Sequence, residues 1–242
     1  MDVSIIITSY NYSQYIEECI NSCLSQDDTK IKYEVIIIDD GSTDETPKIL
    51  SKFKNKILRK YRIKNSGIEI ASNFALSKAK GKFIVRVDAD DKLATSYLHY
   101  VEKNLSSSFD FYYSDYGVID SNMKITSLMN LPEFNVNEIL KRGDFLATGT
   151  LYSAKLLRSY GYYLEGRKNS GLENYELILR LLKDQKIGKH IPHYLFYYRR
   201  HDSNISIKKN HQITKNGIAL FKKFDLGDFT TNKYHPYNPP EA

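Results

Sequence analysis

Three apolar runs in the N-terminal part of the chain, Val3–Thr8, Tyr33–Ile38 and Lys82–Val87, each stop abruptly at a polar cluster. The clusters are Thr8-Ser9-Tyr10-Asn11, the stretch from Asp39 through Asp40 to Asp44, and Asp88-Ala89-Asp90-Asp91. Between the runs the pattern predicts helices over Gln14–Ser25, Asp44–Lys54 (capped by Ser42 or Thr43) and Ile68–Lys80, with a weaker strand at Ile57–Arg62. Another helix follows over Ala94–Leu105. Strands alternating with single helices require right-handed crossovers and a parallel sheet covered on both faces. All strands of such a sheet end along one edge, where open α/β sheets bind ligands. The three clusters are therefore expected to share one crevice.

The third cluster is the most demanding chemically. Asp88, Asp90 and Asp91 crowd three carboxylates into four residues, and like charges that close call for a cation between them. Oxygen ligands suit Mg²⁺ or Mn²⁺. In isolation the run is equally a solvated acidic turn capping the next helix. None of the twelve glycines forms a G-x-G-x-x-G or a G-x-x-x-x-G-K-[ST] pattern, which disfavours dinucleotide and P-loop cradles. A bound nucleotide would then have its diphosphate charge met by a metal and by cationic side chains, as in a nucleotide-sugar enzyme.

Beyond Ser108 the pattern changes. A strand pair is expected over Phe109–Tyr116 and Val118–Ile125, around Gly117 or the Asp120-Ser121-Asn122 turn. Helices are expected over Asn135–Lys141, Ser153–Tyr160, Glu173–Asp184 and Gln212–Phe224, and a strand over Tyr194–Arg200. No linker is visible in the 242 residues, so residues 1–224 read as one domain with halves 1–108 and 109–224, followed by a Pro-containing tail at 225–242. Cys19 and Cys23, the only cysteines, are spaced to share a helix face as reduced core thiols. No apolar stretch is long enough to span a bilayer, and the first strand begins too early for a secretory signal, which predicts a cytoplasmic protein. Of the net charge of +6, the segment Lys189–Phe224 holds eight Lys or Arg against the single acid Asp202. It could attract diphosphates or an anionic membrane surface. Nucleic acid is disfavoured as a partner, because the clustered acids repel phosphate unless metal fills them.

Ser4-Ile5-Ile6-Ile7-Thr8-Ser9-Tyr10-Asn11, Ile36-Ile37-Ile38-Asp39-Asp40-Gly41-Ser42-Thr43-Asp44, Asn65-x-Gly67 with Asn73, and Gly81-x-Phe83 leading into Asp88-x-Asp90 together resemble family 2 glycosyltransferases of the GT-A fold. The resemblance covers about residues 2 to 205. It implies a GT-A (nucleotide-diphospho-sugar transferase) fold, a mostly parallel central sheet flanked by helices with a C-terminal acceptor-side extension. It also implies a UDP-sugar donor, an Mn²⁺ or Mg²⁺ cofactor and a surface-glycan, capsule or lipid-linked acceptor. By the same resemblance Thr8, Tyr10 and Asp40 hold base and ribose, Asp40 receiving the imide N–H, with Asn11, Asp39, Asn65 and Ala89 beside them. Asp88 lies against the ribose or sugar, and Asp90 binds the metal. Thr148-Gly149-Thr150 resembles the small-residue loop beside the donor sugar. Tyr198-Arg199-x-His201 resembles the late histidine motif, giving His201 as a second metal ligand and Arg199 or Arg200 as diphosphate partners. His190, His193 and His211 are expected to be structural or superficial.

One departure stands out. Gly171-Leu172-Glu173-Asn174-Tyr175-Glu176 resembles the acidic motif that opens the catalytic helix, but the position that usually carries the deprotonating Asp is Asn174, which cannot accept a proton. Glu173 and Glu176 flank it, and Glu173 is the expected substitute; a residue that merely starts the helix, favoured by the dipole, is the alternative. An inverting glycosyltransferase and a nucleotide-sugar binding protein without catalysis are thus the two readings.

Overall fold

The computed structural model describes residues 1–142, 149–164, 169, 171–202, 204 and 208–226. Thr148 and nearly all of the expected tail lie outside the described residues. The first half runs β1 (Val3–Ser9), α1 (Ile16–Leu24), β2 (Tyr33–Asp39), α2 (Thr46–Lys52), β3 (Leu58–Arg62), α3 (Ile68–Lys78), β4 (Phe83–Asp88), β5 (Lys92–Leu93) and α4 (Tyr97–Asn104). The second runs β6 (Phe111–Ile119), β7 (Ile125–Met129), α5 (Val136–Arg142), β8 (Leu151–Ser153), α6 (Ala154–Ser159), α7 (Glu173–Lys183), β9 (Gly188–Arg199) and α8 (Asn210–Phe224).

The strands form one sheet in the order β3-β2-β1-β4-β8-β6-β9-β5, with β7 attached to β6. Strands β3, β2, β1 and β4 are parallel in unbroken register, so Thr8 stands beside both Ile38 and Asp88, and Ser9 beside Asp39. That register sets the three polar clusters side by side. Beyond β4 the sheet is mixed: β8 is antiparallel to both β4 and β6, whereas β9 runs parallel to β6. The central strands β1 and β2 are mostly apolar on both sides because both faces are covered. Ile6, Ile36 and Ile38 pack with α3 and α7, while Ile5, Ile7, Val35 and Ile37 pack with α1 and α4. Cys19 and Cys23 are free thiols buried in the second of these layers.

Some boundaries differ from expectation for identifiable reasons. Gly117 is not a turn but a strand residue, because the Tyr197 ring lies where a Cβ would project, 2.8 Å away. The turn is instead at Asp120, whose carboxylate accepts the Asn122 and Lys124 N–H groups. Strand β9 starts well before Tyr194: a register shift between Ser114 and Asp115 of β6 lets Pro192 and His193 bulge out of the ladder, which accommodates the missing proline N–H. Ser42 and Thr43 do not cap α2, since it is the Asp44 carboxylate that receives the Thr46 N–H at 3.0 Å.

Candidate active site

The loops after β1 and β2 are joined by Asn11. It adopts φ 61°, a left-handed conformation that asparagine tolerates. Its Oδ1 accepts the Thr43 N–H at 2.8 Å and its own N–H donates to Ser42 Oγ at 3.0 Å. Asp44 completes the seam by accepting the Ser13 N–H at 2.9 Å. Asp39 is buried beneath this loop, accepting the Ser42 N–H and pairing with Arg62 at 3.2 Å. Asp40 turns the other way: its carboxylate accepts the N–H groups of Ser66 at 2.8 Å and Gly67 at 2.9 Å, just ahead of α3. Asn65 donates to the Asp40 carbonyl. The hydroxyls of Thr8 and Ser9 are buried without a partner among the described residues, while Tyr10 is 44% exposed.

At the end of β4 the chain turns tightly, the Asp91 N–H meeting the Asp88 carbonyl, which also accepts the Cys19 thiol at 3.3 Å. Ala89 is buried in this turn. The Asp88 carboxylate lies 3.1 Å from Arg86. Burial, with the charges of Asp90 and Glu173, outweighs the attraction of Arg86 and raises Asp88 to about 6. Asp90 Oδ2 lies 3.0 Å from His201 Nε2 and 3.3 Å from the Asn204 amide. Tyr15 packs against the His201 ring at 4.9 Å. The Tyr12 phenol is pushed upward by burial and then by Asp90, Asp88 and Asp91.

Asp90 and His201, far apart in the chain, therefore converge as a carboxylate and an imidazole. Among the described residues no group of three or more His, Cys, Asp or Glu is arranged to hold a metal ion. Two protein donors nonetheless fit a divalent ion that keeps its remaining positions for substrate phosphate oxygens and water, and the imidazole favours Mn²⁺ over Mg²⁺.

Arg199 has a different place from the one expected. Its side chain is 1% exposed. Nε donates to the Asp90 carbonyl at 2.8 Å, Nη1 to the Asp120 carbonyl at 3.1 Å and Nη2 to Glu18 at 2.7 Å. Its backbone N–H meets Asp91 at 2.8 Å, and the guanidinium lies over Tyr15 at 4.8 Å. Through these bonds it braces the acidic turn. Arg200, by contrast, is exposed.

On the other side of β4, α7 begins at Glu173. Glu173 Oε1 lies 3.3 Å from both terminal nitrogens of Arg86, and Oε2 is buried without a partner among the described residues. Asn174 is buried and its Oδ1 accepts the Tyr163 hydroxyl at 2.5 Å. Asn73 holds the Tyr163 backbone through both its amide atoms, at 2.9 and 3.1 Å. Glu176 pairs with Arg180 at 2.9 Å within α7. Gly149 donates to the Arg86 carbonyl and accepts from the Tyr97 hydroxyl, so Gly149 is held beside β4. His190 is a buried partner of Asp115 at 2.8 Å, whereas His193 and His211 are exposed.

Sequence reasoning missed Arg86, Tyr12 and Asn204. Arg86 did carry a signal, as a charge inside a buried strand. Tyr12 is one of twenty tyrosines and Asn204 only follows the histidine motif, so neither was distinguishable.

The description "Glycosyl transferase family 2" fits residues 4–160 of the chain. Hyaluronan synthase of Pasteurella multocida is 28% identical over 98% of this chain, which spans only 25% of that protein. The Escherichia coli protein WfaP, a UDP-Glc:alpha-D-GlcNAc-diphosphoundecaprenol beta-1,3-glucosyltransferase, is 30% identical over 90% of this chain and 85% of its own. Among solved structures, Staphylococcus aureus TarS 1-349 in complex with UDP-GlcNAc superposes with a TM-score of 0.73 over 94% of this chain and 67% of that one, at 21% identity. The TarS likeness shows a shared GT-A fold. With the family description covering well over half its length, the chain belongs to glycosyl transferase family 2.

Proposed function

We propose that this chain is a metal-dependent, inverting glycosyltransferase that moves a sugar from a UDP-sugar to a glycan or lipid-linked acceptor. The observation that carries the reading is the placement, around the end of one strand, of the Asp90–His201 pair on one side and Glu173 with an unoccupied Oε2 on the other. TarS with UDP-GlcNAc and WfaP with its UDP-Glc donor and diphosphoundecaprenol acceptor support the donor and acceptor classes.

In this mechanism Thr8, Tyr10, Asn11, Asn65 and Asp40 line the uridine site over the Asp39 turn. Asp40, whose carboxylate accepts the Ser66 and Gly67 N–H groups, is the acceptor for the imide N–H in this reading. Asp88 faces the ribose or sugar. Asp90 and His201 would hold Mn²⁺ or Mg²⁺, which when bound neutralises the departing diphosphate. Arg200 adds an exposed cation on the same side. Glu173 accepts the proton of the acceptor hydroxyl as that oxygen attacks the anomeric carbon. Asn174, tied to Tyr163, orients the start of the helix.

No described helix is long and apolar enough to cross a membrane. Contact with an anionic membrane is proposed through the exposed Lys208, Lys209, Lys215, Lys222 and Lys223 around α8. The second reading, donor binding without transfer, is favoured by Asn174 alone. Incubation with a panel of nucleotide-sugars separates the two. Metal-dependent release of UDP, faster with an acceptor glycan, supports transfer. Tight UDP-sugar binding with no turnover on any acceptor supports the alternative.

A further inference from the structure

Arg86 occupies the middle of β4, which lies between β1 and β8, and its side chain is 4% exposed. A buried guanidinium in that position carries a large desolvation penalty unless carboxylates surround it. Its carboxylates come from the two sides of the site. Asp88, on the donor side, lies at 3.1 Å. Glu173, at the start of α7, receives both terminal nitrogens on the same oxygen, Oε1, at 3.3 Å. The Tyr163 ring, which carries the hydroxyl bound to Asn174, lies 5.1 Å from the guanidinium. Glu173 is thereby left with one engaged oxygen and one buried oxygen that has no partner among the described residues.

We propose that Arg86 is a positioning residue for proton transfer: by holding Oε1 it leaves Oε2 as the atom of Glu173 that takes the acceptor's proton. The inference rests on the reading of Glu173 as the base. In the step itself the acceptor oxygen forms its bond to the anomeric carbon, the bond from that carbon to the diphosphate oxygen breaks, and its electron pair leaves with UDP. The acceptor's proton ends on Oε2, while Oε1 becomes the carbonyl oxygen and keeps its hydrogen bonds to Arg86. The planar fork holds both carboxylates in a fixed geometry, which a compact, freely rotating ammonium does less well.

The test is a double-mutant cycle on the full chain, with kcat and donor KM from transfer assays and UDP affinity from calorimetry. Glu173→Gln should lower kcat by roughly 10² to 10⁴. Arg86→Met should lower kcat with donor KM and UDP affinity nearly unchanged, Arg86→Lys should recover part of the loss, and Arg86→Met combined with Glu173→Gln should be no slower than Glu173→Gln alone. Equal losses from Arg86→Met in the presence and absence of Glu173 would overturn the proposal, as would a raised donor KM at unchanged kcat. Should Arg86→Met fail to fold, Arg86→Lys in both backgrounds makes the same comparison. Wild-type turnover in Glu173→Gln removes the base itself and the positioning role with it, a failure recognisable from that single variant.

Discussion

Replacing Arg199 separates a brace from a ligand. In Arg199→Met the new side chain fills much of the space of the arginine stem, so the loss falls on the polar head. Glu18 keeps its contact with Lys92 at 3.0 Å and is partly solvated, so it loses little. The carbonyls of Asp90 and Asp120, however, lose the donors they have at 2.8 and 3.1 Å. Each orphaned acceptor costs about 1–3 kcal/mol, and removal of one partner from a buried charged network costs about 3–5 kcal/mol overall. For a chain of this size each kcal/mol lowers Tm by about 2–4 °C, so a fall of roughly 6–20 °C is expected. Thermal unfolding followed by circular dichroism reads it directly. Arg199→Lys should also lose stability, because one ammonium cannot span three acceptors. An unchanged Tm in both variants, with UDP affinity lost, would refute the argument and return Arg199 to the diphosphate.

Three further outcomes follow from the site. Asp90→Ala should abolish metal-dependent UDP binding with the circular dichroism spectrum intact, since it removes one charge from a crowded turn; undiminished Mn²⁺-dependent binding in calorimetry would dismiss Asp90 as a ligand. Asp40→Asn should weaken uridine nucleotides by about ten- to a hundred-fold, the equivalent of one charge-assisted hydrogen bond of roughly 1.5–3 kcal/mol. It should also lower Tm, because an amide N–H replaces one acceptor facing Ser66 and Gly67; tighter binding of GDP or CDP than UDP by the wild type would contradict the uridine site. Asn174→Asp should retain or raise kcat, because a carboxylate still accepts the Tyr163 hydroxyl, and a dead variant would show that the amide N–H is required.

The N-terminal half was legible because its physics is local and periodic. Strands β1, β2 and β4 are predominantly apolar and lie in parallel register, so strand ends read from sequence become neighbours in space. The other half depends on longer-range packing. Strands β5 and β8 are too short to show a period, and Pro192 hides the first part of β9. Asp90 and His201 could be paired only through a resemblance to a family motif, and the structure brings them to 3.0 Å. The same motif does not separate Arg199 from Arg200, since a buried and an exposed arginine look identical in sequence. The bridge from Arg86 to Glu173 joins residues 87 positions apart, a distance no spacing rule reaches.

The thiol of Cys19 touches the back of the Asp88 turn, and this makes helix α1 a natural clock. Only the thiolate reacts with alkylating reagents, and burial pushes the Cys19 thiol well above its ordinary range, with Cys23 beside it raising it further. Native-state alkylation must therefore wait for α1 to lift away, a local opening with its own free energy. In a Cys23→Ala background the labelling rate of Cys19 counts how often the acidic turn loses its backing. Ligands that engage Asp88 or Asp90 should slow that count, so donor occupancy can be followed by mass spectrometry without any glycosyl transfer taking place.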